Sequence, residues 1–449
     1  MHDRHHLDHE LDFDFDVDVE DGGRAQLSSA TRNGPALDQA DGRDLAAISQ
    51  SANEHGAPLE AIVNVCALTP PVLPRPPQAR AQPAIHRRRT LAVGLIGPGR
   101  VGAALLAQLR AAQPRLARET GLELQLCGVA ASRRMWLDCD DPDLTRAGGD
   151  TPGQRAEIWR PCNLDEFAAH VRGRVRRPAL LIDATASDAV VNHYPDWLSS
   201  GLHVVTPNKR AGSGPLSRWL AIRAACHDAA RFRYEATVCA GLPVVQTLRD
   251  LLDTGDELTS IEGMFSGTLA WLCNRHDGTR AFSALLREAH AAGYTEPDPR
   301  DDLSGLDVAR KLVILAREAG WPLALEDVEV QGLVPDALAG VPPGEFMQRL
   351  GDLDAPMAAQ LACARAAGGV LRHVAHLGRH GHASVRLTVL PAMHAFAHTS
   401  LTDNIVRFTT RRYCDNPLSV QGPGAGPEVT AAGVFTDLLR IAETLQASA

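Results

Sequence analysis

Between Gly293 and Lys311 the chain reads Gly-Tyr-Thr-Glu-Pro-Asp-Pro-Arg-Asp-Asp-Leu-Ser-Gly-Leu-Asp-Val-Ala-Arg-Lys, with five carboxylates and two prolines just ahead of an apolar helical pattern. Carboxylates crowded this way repel one another unless a polar ligand is held among them, so the segment reads as a substrate loop. Asp307 and Lys311 stand four apart, on one helix face. Val308 and Leu315 flank Lys311 with apolar surface, and the partial dehydration expected there lowers a lysine pKa and suits it to proton transfer, with Asp307 steering it. The alternative is an ordinary ion pair on a helix surface. Ser304 and Asp307 have the spacing of a capping box, with Asp in place of Glu, which predicts a helix start near Gly305.

Three further constellations could do chemistry. Gly97-Pro98-Gly99-Arg100-Val101-Gly102 has the spacing of a dinucleotide-binding turn. One glycine makes the turn, one admits a pyrophosphate to the backbone, and one permits close helix packing, with the helix N-terminus facing the anion. Ala130-Ala-Ser-Arg-Arg134, at the end of the following strand, has no carboxylate for a ribose 2′-hydroxyl, which favours NADP over NAD. Arg133 or Arg134 pairs with the 2′-phosphate on this reading; an exposed surface arginine is the alternative. Lys209 follows a strand end in Thr206-Pro-Asn-Lys, where a lysine either faces the substrate or sits solvated in a loop. Tyr234-Glu-Ala-Thr-Val-Cys-Ala-Gly-Leu-Pro243 is a loop whose carbonyls, with Glu235, could cage a hard cation, or simply turn the chain.

The elements that must position these residues follow from hydrophobic periodicity. Leu91 to Ile96 is a buried strand leading into the Gly turn and a helix from Ala103 to Leu109. Strands are predicted at Leu124 to Ala130, Ala179 to Ile182 (ending in Asp183-Ala-Thr185) and His203 to Thr206. Their alternation with helices implies right-handed crossovers and a parallel sheet. Beyond about Thr247 the texture is α+β: a strand at Leu258 to Phe265, helices near Thr268 to Cys273, Ser283 to Ala292 and Gly305 to Ala319, and alternating strands at Ala383 to Leu390 and Ile405 to Arg411. A final helix spans Thr430 to Leu445, after the turn Gly422-Pro-Gly-Ala-Gly426.

Composition narrows the function. The chain has 449 residues, 45% hydrophobic and 22% charged, which suits a soluble enzyme-like body of two or more domains. The net charge of −9 is concentrated in Met1 to Asp21, where nine carboxylates face one arginine, so the body is nearly neutral and lacks the basic footprint of a nucleic-acid binder. Aromatics are only 4%, too few for base-stacking platforms. The nine cysteines are scattered without a CxxC pair, which suits a reducing cytoplasm. No stretch approaches the length of a membrane span, and the acidic start is unlike a signal peptide. Residues 1–88 read as a disordered acidic, His-rich head and Pro-rich linker with one short helix at 58–67; His2, His5, His6 and His9 read as solvated rather than metal-binding.

Taken together these segments resemble the homoserine dehydrogenase family, in particular the dehydrogenase half of the bifunctional aspartokinase–homoserine dehydrogenases, from about Leu91 to Leu445. The likeness rests on Val204-Val-Thr-Pro-Asn-Lys209, Ala240-Gly-Leu-Pro243, Phe265-Ser-Gly-Thr-Leu269, Gly293 to Lys311, and Gly424-Ala-Gly426 followed by Val429-Thr-Ala-Ala-Gly-Val434. The resemblance implies an α/β fold: a Rossmann-type NAD(P)-binding domain at 89–247, an α+β substrate and dimerisation domain at 248–426, and a C-terminal helix, 427–449, returning to the first. It implies NAD(P)-dependent interconversion of L-aspartate 4-semialdehyde and L-homoserine, NADP(H) preferred and NAD(H) possible, in a homodimer. Lys311 resembles the proton-transferring lysine, Lys209 the lysine beside the nicotinamide, and Glu296 and Asp307 the homoserine-binding carboxylates. Thr185, Gly293 and Gly426 look like further cofactor contacts. Glu235, Val238, Ala240 and Leu242 match a loop that holds a structural Na⁺ or K⁺, mostly by backbone oxygens. Two departures stand out: Cys239 replaces the usual glycine of that loop, and the head is too short for the fused kinase. The rival readings are a dehydrogenase for another amino-acid-derived aldehyde and a catalytically silent NADPH-binding subunit.

Overall fold

The structure, a computed structural model, describes residues 88–137, 159–173, 178–226 and 230–447. The short helix expected at 58–67 and the histidines of the head lie outside these residues.

Two sheets carry the fold. The first comprises β1 (Arg89–Ile96), β2 (Leu122–Ala130), β3 (Arg134–Leu137), β4 (Arg160–Pro161), β5 (Ala179–Asp183), β6 (His203–Val205) and β7 (Phe232–Arg233), in the order β4-β3-β2-β1-β5-β6-β7. The strands from β2 to β7 in that order run parallel, while β3 and β4 extend the edge in antiparallel fashion. β1 is apolar at every position from Leu91 to Ile96 except Gly94, because both of its faces are covered. Leu91, Val93 and Leu95 pack with the helix Arg100–Glu119 on one face, and Ala92 and Ile96 join the cluster of Phe167 and Val171 on the other. From β1 the chain pairs first with β2 and then, on the opposite side, with β5. The connections leaving the carboxyl ends of β1 and β5 therefore run to opposite sides, and strand order reverses between these two strands, where an open sheet of this kind forms a ligand crevice.

The second sheet comprises β8 (Leu258–Met264), β9 (Val328–Val330), β10 (Gly369–Gly378), β11 (Ala383–Pro391), β12 (Asp403–Thr410) and β13 (Leu418–Pro423), in the order β13-β12-β8-β10-β11-β9. All its pairings are antiparallel except β9 with β11. Helices Gly267–Arg275, Leu306–Glu318 and Asp354–Ala366 pack on β10. The helix Leu306–Glu318 is apolar nearly all round: Val308, Ala309, Leu312, Val313, Ile314, Leu315 and Ala316 are each at most 1% exposed. Such a helix is stable only in the interior, so its few polar side chains are held in fixed places. The last helix, Pro427–Ala447, lies on Arg100–Glu119, with Ala431, Val434, Leu438 and Ile441 in the core of the first sheet.

Candidate active site

Lys311 sits midway along Leu306–Glu318, with its side chain 9% exposed. Its Nζ donates to the Phe265 carbonyl at 2.6 Å and lies 2.9 Å from Asp307 Oδ2. The other oxygen of Asp307, Oδ1, is 3.0 Å from Lys209 Nζ. One carboxylate thus bridges two ammonium groups, one brought by each sheet. Burial by itself pulls the Lys311 pKa down, but the charge and hydrogen bond of Asp307, with Cys239 and Asp302 adding, together outweigh it and the net shift is upward. This corrects the expectation from sequence that dehydration lowers it: the partner is too close for desolvation to win. Burial likewise pushes the Asp307 carboxyl up, yet Lys311 and Lys209 together hold it well below the usual range.

The helix starts where expected, but the capping box does not form. Its N-cap is Gly305, at φ +73°, and the Leu306 N–H is met by Ser304 Oγ at 3.2 Å. Asp307 is drawn away from the backbone by the two lysines.

Lys209 is the first residue of a short helix, Lys209–Ser213, that follows β6. Asn208 caps it, accepting from the Arg210 N–H at 3.1 Å, and donates through Nδ2 to Asp183 Oδ2 at 3.0 Å and to the Ser187 carbonyl at 3.1 Å. Asp183, fully buried at the end of β5, also accepts from Tyr194 Oη (2.6 Å) and from the Thr185 N–H (2.8 Å). A single buried carboxylate therefore ties the Thr185 loop and the Lys209 helix together at the mouth of that crevice. Sequence reading missed Asp183 and Asn208, although both stand inside segments it singled out. It also overlooked a compositional signal: of the 45 lysines and arginines only two are lysine, and these are Lys209 and Lys311. Arginine serves every other basic position, but its pKa is too high to exchange a proton near neutrality.

In the substrate loop, Gly293 turns at φ +72° and the Glu296 side chain is exposed. The Glu296 N–H donates to Asp302 Oδ2 at 2.8 Å, and the Thr268 hydroxyl meets Asp302 Oδ1 at 2.9 Å and the Tyr294 carbonyl at 2.6 Å. Burial raises the Asp302 carboxyl. Asp302 and Thr268 thus hold the loop, a role that spacing alone could not reveal.

The residues of the Gly turn fit a dinucleotide pyrophosphate. Gly97 adopts φ +90°, and a Cβ there would meet the Ala184 carbonyl at 2.9 Å; a Cβ on Gly102 would lie 2.3 Å from the Gly97 oxygen. Gly99 is the N-cap of Arg100–Glu119, and nothing lies within 4 Å of where its Cβ would be, so the backbone from Pro98 through Arg100 and Val101 is open to a ligand at a helix N-terminus. Gly426, at φ +120°, turns the chain into the last helix. Beyond β2, Arg133 and Arg134 are both exposed, and the Arg134 guanidinium lies 4.8 Å from the centre of the Trp159 ring.

The loop at 234–243 is strained: Cys239 (φ +57°) and Ala240 (φ +54°) are both left-handed. Cys239 is fully buried and its Sγ accepts from Asn404 Nδ2 at 3.4 Å. The Glu235 carboxylate is committed elsewhere. It accepts from the Val245 and Gln246 N–H groups at 2.8 and 2.9 Å, capping the helix Val244–Asp253, and pairs with Arg440 at 3.2 Å. With that carboxylate engaged, the oxygens this loop leaves for a hard cation are backbone carbonyls. Among the described residues no group of three or more His, Cys, Asp and Glu forms a metal cluster.

A nucleotide cradle and a lysine–carboxylate–lysine bridge on these two sheets define a dehydrogenase-like site. The family models for the homoserine dehydrogenase NAD-binding domain and for homoserine dehydrogenase match residues 97–235 and 243–439. A homoserine dehydrogenase from Emericella nidulans is 40% identical over 375 residues, covering 79% of this chain and 98% of that one. The chain belongs to the homoserine dehydrogenase family. A chloroplastic bifunctional aspartokinase/homoserine dehydrogenase 1 from Zea mays is 48% identical over 379 residues, covering 82% of this chain and 40% of its own length. The chain therefore spans about two fifths of the plant relatives it matches. The solved homoserine dehydrogenase of Thiobacillus denitrificans shares the fold, with TM-score 0.61 and 23% identity over 81% of this chain and 75% of that one.

Proposed function

We propose that the chain is a homoserine dehydrogenase that interconverts L-aspartate 4-semialdehyde and L-homoserine with NADP(H) in preference to NAD(H), on the route to threonine and methionine. The observation that carries this reading is the Asp307 carboxylate bridging Lys209 and Lys311. When bound, the nicotinamide supplies or accepts the hydride. Lys311 gives its proton to the aldehyde oxygen in reduction and takes it back from the hydroxyl in oxidation. Asp307 keeps Lys311 charged, and Lys209 faces the nicotinamide end of the site. Because Asp307 already meets two cations, the exposed Glu296 carboxylate is the group free to receive the substrate ammonium. Thr185, Gly293, Gly426 and the Gly97 to Gly102 turn contact the cofactor, with Arg133 on the 2′-phosphate, since Arg134 is engaged with Trp159.

The division at 89–247, 248–426 and 427–449 accords with the two sheets and the returning helix. A structural Na⁺ or K⁺ on the 235–242 carbonyls and a homodimer complete the reading; exposed Val389, Met393 and Leu401 offer apolar surface for a second copy. None of the seven described cysteines is in a disulfide, in keeping with a reducing compartment such as the cytoplasm. Reduction of NADP⁺ by the purified protein with L-homoserine as sole substrate tests the function. Cofactor binding without turnover would instead favour the silent-subunit reading.

A further inference from the structure

We infer that Arg317, remote from the reacting atoms, is a positioning residue that sets the distance between the two lysines. It lies on the same helix as Asp307 and Lys311, is 5% exposed, and its Nη1 donates to the carbonyls of Gly212 (2.9 Å) and Gly214 (2.7 Å), while its Nε donates to the Leu323 carbonyl (2.9 Å). Gly212 and Gly214 close the C-terminal end of the short helix whose first residue is Lys209. The two helices are thus joined twice: by Lys209–Asp307 at one end and by Arg317 at the other. Between these ties they touch. A Cβ on Gly212 would lie 2.8 Å from Ile314 Cγ1, so only glycine permits this approach.

A five-residue helix has almost no stability of its own, and its placement is decided by what holds it. Its N-terminus is fixed to the first sheet through Asn208 and Asp183. Its C-terminus is fixed to the substrate-domain helix by a cation at the end where unpaired carbonyls collect. Without Arg317 the short helix pivots about Asn208, and the Lys209–Asp307–Lys311 bridge opens while the nucleotide cradle, on other elements, stays put.

The inference rests on the dehydrogenase reading, and wild-type turnover of L-homoserine, measured alongside, separates the failure of one from the failure of the other. Arg317→Met should lower kcat roughly 10- to 100-fold, the scale expected for a misplacement of about 1 Å, and move the limb of the pH profile set by Lys311 upward, because Asp307 then serves Lys311 alone. The dissociation constant for NADPH should stay within about twofold. Because the chain has only two lysines, amine labelling read by mass spectrometry reports on the bridge without turnover: Lys209 should react faster in the variant. Should Arg317→Met not fold, Gly212→Ala gives the same test from the other helix, and Gly212→Ala with Ile314→Ala should recover part of the loss. Native kcat, pH limb and Lys209 labelling in folded Arg317→Met, or in Gly212→Ala, would overturn the inference. Equal losses in NADPH affinity and kcat with an unmoved pH limb would overturn it as well.

Discussion

Replacing Asp307 by Asn keeps the shape of the bridge and removes its charge. In the structure Lys311 Nζ is 2.9 Å from one carboxylate oxygen and Lys209 Nζ 3.0 Å from the other. A charge pair about 3 Å apart at an effective dielectric of about 20 is worth roughly 5 kcal/mol. The Asp307 side chain is 46% exposed, so solvent screening takes back about half of that attraction. Burial, which lowers the Lys311 pKa, is then opposed only by the weaker effects of Cys239 and Asp302. The Lys311 midpoint, raised in the wild type, should therefore fall in the variant. In the reductive direction the active form is protonated, so the rate is lost as pH rises through this midpoint. The assay is NADPH oxidation with aspartate 4-semialdehyde from pH 6 to 9.5. Wild type should hold its kcat/KM across that range, and Asp307→Asn should decline toward its alkaline end. A variant profile that stays level with wild type to pH 9.5 would refute the claim that Asp307 sets the protonation of Lys311.

Arg133→Ala should raise the KM for NADP roughly 10- to 100-fold, the cost of a charge-assisted phosphate contact, and leave NAD nearly unchanged; Arg134→Ala, with its side chain on Trp159, should affect both cofactors little. The reverse pattern in steady-state kinetics would move the contact to Arg134. Burial pulls His203 and His373 down to about 4, Arg231 adding to the effect on His203. Unfolded chains carry these histidines near 6.5 and so bind more protons between the two values, which means their contribution to stability is intact above pH ~6.5 and is lost as pH falls, by about 2 kcal/mol each at pH 5. Urea unfolding at pH 7 and pH 5 checks this: His373→Leu should lose about 2 kcal/mol less than wild type between the two, and an equal loss would count against it.

Much of this architecture was legible because periodicity and burial agreed. β1 is apolar on both faces because both are packed, and the helix expected at Gly305 to Ala319 is found as Leu306–Glu318. β10 escaped because Arg372 and His373 interrupt its apolar run; the arginine is buried with its donors on the Leu371, Phe396 and Ala397 carbonyls, a satisfaction that only tertiary structure supplies. β3, β4 and β9 are two to four residues long, too short for a period to register. At the site, the i, i+4 spacing of Asp307 and Lys311 announced their contact. The contact of Asp307 with Lys209, 98 positions away in the chain, depends on how two sheets meet, and the sign of the Lys311 shift depends on charges from other segments, Cys239 and Asp302 among them, which no local pattern encodes. Glu235 was visible as a carboxylate, but its commitment to the helix end at Val245 and Gln246 was not.

The central claim is that Lys311 moves a proton rather than merely supplying charge, and Lys311→Arg tests it most directly. Arginine keeps the positive charge opposite Asp307 but cannot exchange a proton near neutrality. With L-homoserine and NADP⁺, the wild-type protein should turn over and Lys311→Arg should be slower by roughly 10²- to 10⁴-fold, the range of a general acid–base group, with NADP binding unchanged. An arginine variant with near-normal turnover would contradict the account and assign the proton to Lys209 or to a bound water.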